Sequence, residues 1–200
     1  ISIPSVLGLV ALSEPILMTL FMRDQFSFAD VSMTQVAFWG YGVGLVPIVM
    51  IKLLAPVFYA NKDTKTPVQI AIKAVIFTQL LNIIFWFLLP DQVKHAGLAL
   101  AISGGAWLNA VMLISGLRRR GLFLISNNWI LVCRDCSVAA GVMTLIISYV
   151  SLNIEWLQFD SWGRAGLLLG LILLGLLVYI LSLKALGRRL TELLEVKRPN

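Results

Sequence analysis

Polarity along this chain is segmental. Apolar runs of about 20 residues, each long enough to cross a bilayer core, alternate with short polar connections. The pattern predicts six membrane-spanning helices: Ile3–Met22, Met33–Leu54, Pro67–Leu89, Ala96–Leu117, Ile130–Leu152 and Arg164–Leu186. Short strands of alternating polarity, as a membrane barrel requires, are not what these runs resemble. Hydrophobic residues make up 59% of the chain, against roughly 45–50% in soluble domains. The fold class expected is therefore an all-α polytopic membrane protein.

Charge then orients the spans. Counted by alternate connections, one side receives thirteen of the sixteen Lys and Arg residues, among them Lys52, Lys62, Lys65, Arg118–Arg120, Lys184, Arg188 and Arg189. The other receives Arg23, Lys94 and Arg164 together with most of the acids. Positive residues mark the cytoplasmic side, so the 55–69 connection, the triple-arginine connection and the C-terminus are expected to be cytoplasmic. The basic residues flank membrane spans, which argues against a nucleic-acid partner. Trp156 and Trp162, in the last external turn, fit an interfacial aromatic belt. The segment from Lys184 onward spaces leucines on one side and bases among the polar positions, as a basic amphipathic tail on an anionic leaflet does. The chain opens on Ile1 without a charged leader, so we expect a segment that begins inside or just before a helix.

The longest polar connection, Ala55–Gln69, reads as a stiff hinge. Pro56 is expected to stop the helix before it. Thr66 as N-cap, Pro67 at the first helical position and Gln69 three residues after the cap are expected to open the next helix.

Within the spans a few polar residues stand out. Glu14 is the one carboxylate deep in a span, about 12 Å from the external end. Burying such a group costs roughly 2.5–3.5 kcal/mol, which makes it either a working acid or a cap or partner for a neighbouring helix. Gly40, Gly42, Gly44 and Pro47 make the second span either a moving element or a static kink. Thr78, Gln79 and Asn82 share one arc of the third span and are expected to face protein, in inter-helix hydrogen bonds or in substrate contact. Gly97, Ala101, Gly105 and Asn109 form a ridge that admits a neighbouring backbone. Ser137, Gly141, Thr144, Ser148 and Ser151 face the glycines Gly163, Gly166 and Gly170 of the last span, as a tight hairpin or the wall of a groove. Cys133 and Cys136 lack the four ligands of a structural zinc site, and His95 lacks a carboxylate partner in its span. No metal, cofactor or catalytic residue is expected. Scattered acids and one external histidine argue against an enzyme.

The connection also carries a resemblance. Ala55-Pro56, Phe58-Tyr59-Ala60, then after two residues Asp63-Thr64, and Thr66-Pro67-Val68 resemble the MurJ/MviN family of lipid II flippases. That family shares a superfamily with the multidrug MATE exporters. The start Gly97-Leu98-Ala99-Leu100-Ala101 is similar to the family as well. The resemblance implies a fragment matching the last six of fourteen helices of a MATE-like transporter. Residues 1–120 would be the later part of the second lobe, 121–187 a C-terminal hairpin, and 188–200 the cytoplasmic tail. It further implies a flippase that moves lipid II, the undecaprenyl-pyrophosphate-linked peptidoglycan precursor, by alternating access in the bacterial inner membrane. A flippase for another polyprenyl-linked saccharide, or a MATE-type exporter, is the alternative. Glu14, Lys52, Thr78, Gln79 and Asn82 become candidates for substrate binding or gating. Ser137, Gly141, Thr144, Ser148, Gly166 and Gly170 become candidates for a lipid-tail groove. Membrane lipids and cell-wall synthesis proteins are the other partners implied. The family's substrate-gripping arginines lie outside this chain, and the carboxylate that some members use for sodium is absent from Pro67–Leu89.

Overall fold

The computed structural model describes residues 2–21, 28–122 and 127–187, with the side chains of 28, 29, 92 and 127–130 excepted. The amphipathic tail expected over 188–200 and the external loop around Arg23 lie outside the described residues. The helices are α1 (Ser2–Ala11), α2 (Ser13–Phe21), α3 (Phe28–Ala60), α4 (Lys65–Leu88), α5 (Lys94–Arg119), α6 (Asn127–Leu152) and α7 (Ser161–Ala185). Five of them are long and apolar enough to cross a membrane, and α1 and α2, bent by 64° at the break between them, pass the same test only when taken together. Each of the six predicted spans is helical over nearly all its described residues, the first as the bent pair, and the described residues contain no strand.

The break in the first span follows from Pro15. Its ring has no N–H for the Ala11 carbonyl and crowds that turn. Two backbone bonds carry the chain through the bend, from Leu12 N–H to Gly8 O and from Ile16 N–H to Leu12 O, both 2.9 Å. The Ser13 hydroxyl donates to Val10 O at 2.7 Å. Hydrogen bonding thus continues where the helix does not.

The chain divides into two compact units. In one, α3, α4 and α5 (within residues 28–122) pack together, α5 lying against both others. Its core includes Leu54, Phe58, Ile70, Leu113 and Leu117. Missing side chains are what let α5 in. A Cβ at Gly40 of α3 would stand 2.9 Å from that of Ala99, and one at Gly44 would overlap Ser103. On the other flank a Cβ at Gly105 would overlap Thr78 of α4, and one at Gly97 would crowd Leu89 and Phe85. The ridge expected on the fourth span is therefore a packing face, against α4. In the other unit, residues 3–21 pack with the α6–α7 hairpin, α2 lying against α7.

Helix ends differ from the sequence expectation at the 55–69 connection. Pro56 does not stop α3, which runs on to Ala60. The stop is a left-handed residue, Lys62 at φ 58°. Its N–H bonds Tyr59 O at 2.9 Å and the Asp63 N–H reaches back to Phe58 O at 3.0 Å, the paired bonds of a Schellman ending. Helix α5 ends in the same way on Gly121, with Gly121 N–H to Arg118 O at 3.0 Å and Leu122 N–H to Leu117 O at 3.1 Å. Nor does Thr66 cap α4. The helix starts earlier, at Lys65, and the Asp63 carboxylate accepts from Thr66 N–H at 3.0 Å. Pro67 still sits in the first turn, where no intrahelical partner awaits its nitrogen. Asp63 outcompetes Thr66 because an ionised oxygen is the stronger acceptor.

At the α6–α7 turn, Asp160 caps α7 through Gly163 N–H at 3.0 Å. Arg164 donates to Trp156 O and Phe159 O at 3.0 and 2.9 Å. Trp156 is buried and bonds Ser151 O at 3.2 Å, whereas Trp162 is 86% exposed. Only Trp162 stands as an interfacial belt residue does; Trp156 is part of the turn.

A lysine at a left-handed position costs about 1 kcal/mol relative to glycine. Replacing Lys62 with glycine is expected to raise the thermal unfolding midpoint in detergent by roughly 2–4 °C. Substitution by valine, whose branched Cβ tolerates that conformation worst, is expected to lower it.

Candidate functional site

The connection between α3 and α4 is closed by a side chain from the end of α5. Arg120 Nη2 lies 2.6 Å from Asp63 Oδ2 and donates to Thr66 Oγ1 at 3.1 Å. Its guanidinium stands over the Phe58 ring, 5.1 Å from the centroid. Phe58 itself is fully buried, its ring tip 3.2 Å from where a Cβ of Gly116 would be. Of the motif residues, Phe58, Asp63 and Thr66 thus form one clasp that joins three helix ends. Pro56 lies in the last turns of α3 and Pro67 in the first turn of α4, while Tyr59 and Thr64 are exposed.

Electrostatics reinforce the clasp. Hydrogen bonds from the Thr66 side chain and backbone, then from Arg120, hold the Asp63 carboxyl at about 2, below its ordinary 3.8. Lys62 and Lys65, flanking Asp63 in sequence, and Lys52, earlier in α3, are exposed.

The polar arc of α4 is divided between uses. Thr78 faces α5 at Gly105, with its hydroxyl donating to Ala74 O at 2.9 Å. Gln79 is exposed, and its Oε1 accepts from Asn82 Nδ2 at 3.3 Å. Asn82 Oδ1 is buried and, among the described side chains, has no hydrogen-bond partner. Thr78 is committed to helix packing, and Asn82 retains an open acceptor.

Glu14 lies in the first turn of α2, half-buried, immediately after the break. That position has an electrostatic reason apart from any ligand, because carboxylates are stabilised by the positive end of a helix. Beside the break the unit forms a half-open apolar cavity of about 540 Å³. Leu9, Leu12 and Ile16 line one side, with Met143 of α6 and Leu176 and Tyr179 of α7 on the others.

None of the six predicted groove residues lines this cavity. The α6–α7 hairpin is real, but its close contact is Gly175, where a Cβ would come within 3.3 Å of Ile147. Gly141, Gly166 and Gly170 face open space, with nothing within 4 Å of an added Cβ. Thr144 bonds its own helix at Ala140 O, 2.8 Å away. Ser148 borders a shallow depression with Leu145 and Tyr149. The buried face of α6 includes Ala139, Ala140, Met143, Ile147 and Ser151, so of the small-residue seam only Ser151 lies on it. Four residues went unread in the sequence: Arg120 as the clasp, Asp135 as a buried carboxylate bonded by its neighbour Arg134 at 2.9 Å, and Ser103 and Trp107 as donors to α3. The only sequence signal for Arg120 is its place, last in a basic run and next to a helix-ending glycine.

The clasp generates a pH signature. A carboxyl depressed in the folded state contributes stability that is present above its unfolded value, near 3.8, and is lost as pH falls through about 2. Wild-type protein is expected to lose thermal stability across that window more steeply than the Asp63→Asn variant. Melting midpoints measured against pH for the two proteins check this. Parallel curves would show that Asp63 titrates normally.

Comparison with known proteins follows the same lines. The family model described as lipid II flippase MurJ matches residues 1–190. A probable lipid II flippase MurJ of Vibrio cholerae is 38% identical over 195 residues, covering 96% of this chain and 36% of the relative. The lipid II flippase MurJ of Burkholderia cenocepacia is 37% identical over 186 residues, covering 92% and 35%. A probable lipid II flippase MurJ of Haemophilus influenzae is 33% identical over 195 residues, covering 97% and 37%. The chain spans about a third of the length of these relatives. With a match across almost its whole length and the membrane-helix plan to go with it, the chain belongs to the lipid II flippase MurJ family.

Proposed function

We propose that this chain is the C-terminal portion of a lipid II flippase, a transporter rather than an enzyme, that carries the peptidoglycan precursor across the bacterial inner membrane by alternating access. The observation that carries this reading is the family match over residues 1–190. The arginine-rich and lysine-rich connections and the C-terminus face the cytoplasm in this reading, in keeping with their charge. Residues 1–120 belong to the second lobe, 121–187 form the C-terminal hairpin and 188–200 the cytoplasmic tail. Cell-wall synthesis proteins are partners of the assembled transporter.

Within the chain, the apolar cavity beside the broken span takes the polyprenyl tail. Its walls are hydrocarbon and its volume of about 540 Å³ holds a stretch of such a chain. Ser137, Gly141, Thr144, Ser148, Gly166 and Gly170 offer the tail a second, separate surface on α6 and α7, with open space beside Gly141, Gly166 and Gly170. Glu14, at the bend, and Lys52, Gln79 and Asn82 serve gating or head-group contact, with Thr78 on the same arc packed against α5. The unpartnered Asn82 Oδ1 is the specific reason to include the α4 arc.

The experiment is complementation in cells depleted of their own flippase. This chain is fused behind the preceding helices of the Vibrio cholerae relative, and growth and external labelling of lipid II are followed. The fusion is expected to restore both. Leu176→Trp, which fills the cavity from a lipid-exposed wall, is expected to cut labelling roughly tenfold, equivalent to about 1.4 kcal/mol, at unchanged membrane level. Glu14→Gln separates a working acid from a helix-end charge. A well-inserted fusion that fails where the relative's own C-terminal part succeeds would move the substrate to another polyprenyl-linked saccharide.

A further inference from the structure

Pro47 lies inside α3, and the helix is continuous around it. A proline has no N–H to give to the carbonyl four residues earlier, which here is Val43. Away from water, an open carbonyl is costly unless a side chain or neighbouring helix supplies a donor. One does: Trp107 of α5 points its indole Nε1–H at Val43 O, 3.1 Å away. One turn before, the Ser103 hydroxyl donates to Gly40 O at 2.6 Å. The two bonds differ in kind. Gly40 O faces the ordinary helical donor at Gly44, so Ser103 adds a second bond to an acceptor already in use. Val43 O has no such donor. Ser103 is buried, and the glycine notch at Gly40 and Gly44 holds it against α3. Trp107 is 40% exposed, at the edge of the contact, so its ring can swing out without leaving a hole in the core.

We propose that Trp107 is a positioning residue for transport. By occupying the Val43 carbonyl it holds the proline joint of α3 closed against α5, and by releasing it allows α3 to bend between Val43 and Pro47. The transport consequence rests on the flippase reading above; the latch itself does not. The joint is thus a two-state element with an identified bond that opens. Gly44 and Ser103 act as the fixed pivot beside it.

The test is a double-mutant cycle on the 200-residue chain in lipid nanodiscs, with Cys133 and Cys136 replaced by serine. Spin labels at Met33 and Leu53, both exposed, flank the joint at about 30 Å. Trp107→Phe keeps an aromatic ring and removes the N–H. It is expected to broaden the label distance distribution toward shorter values and to lower the melting midpoint by roughly 2–4 °C. In the Pro47→Ala background, residue 47 regains an N–H for Val43, and Trp107→Phe is expected to leave both readouts unchanged. Narrow distances in Trp107→Phe, or equal broadening in the two backgrounds, would overturn the proposal. Because neither readout involves lipid II, they stand apart from the complementation result. In the complementing fusion, Trp107→Phe is expected to change the rate of external labelling at unchanged lipid II binding. Broadened distances with an unchanged rate would remove the transport role.

Discussion

In a chain that spans lipid, every main-chain polar group has to find a partner within the protein. Much of this structure follows from that constraint. The ends of α3, α5 and α7 carry left-handed residues, Lys62, Gly121 and Gly187, whose own N–H groups return to Tyr59, Arg118 and Lys184. At α3 and α5 the next N–H returns to Phe58 and Leu117 as well. The α6–α7 turn uses Arg164 to close two carbonyls that the turn leaves outside a helix. Even the side-chain hydroxyls of Thr19, Thr34, Thr78 and Thr144 bond backward to the carbonyl four residues before. Among the described residues, the buried side-chain acceptor without a hydrogen bond is Asn82 Oδ1, which makes it conspicuous.

Packing obeys a second constraint, since lipid offers apolar helices no hydrophobic incentive to leave it. Association then depends on close approach and directed bonds. Helix α5 has both: glycine notches admit it on two flanks, and Ser103 and Trp107 bond α3 through its main chain. At its far end Arg120 adds an ion pair and an aromatic contact at a water-accessible rim. Exposed pairs of this kind contribute little alone. The clasp matters because it is shared, one guanidinium fixing the cap of α4, the ending of α3 and its own helix at once.

The spans were legible because hydropathy and length are properties of consecutive residues. The ridge at Gly97, Ala101 and Gly105 was legible for a similar reason: small residues at four-residue spacing define a face whatever lies opposite. What could not be read was which face meets a neighbour. Gly141, Gly166 and Gly170 have the same spacing logic and meet nothing within their unit, while Gly175 makes the hairpin contact. The cap was misread for another reason. Thr66 and Pro67 satisfy the local rules of a helix start, but the choice of Asp63 is made jointly with Arg120, which lies more than fifty residues further on. The cavity is likewise beyond sequence reading, because its walls come from both the first span and the last two.

Prolines make the same point within one molecule. By local rules Pro15, Pro47 and Pro56 are equivalent interruptions, and each would be expected to bend or end its helix. Their outcomes differ. At Pro15 the axis turns by 64°. At Pro47 an indole from α5 supplies the missing donor, and α3 continues. Pro56 lies so near the end of α3 that the helix is finished by Lys62 instead. A proline in a membrane helix therefore removes a bond, and the surrounding donors decide the shape that results. By that logic the bending capacity of α3 resides as much in Trp107 as in Pro47, and a second helix can control it.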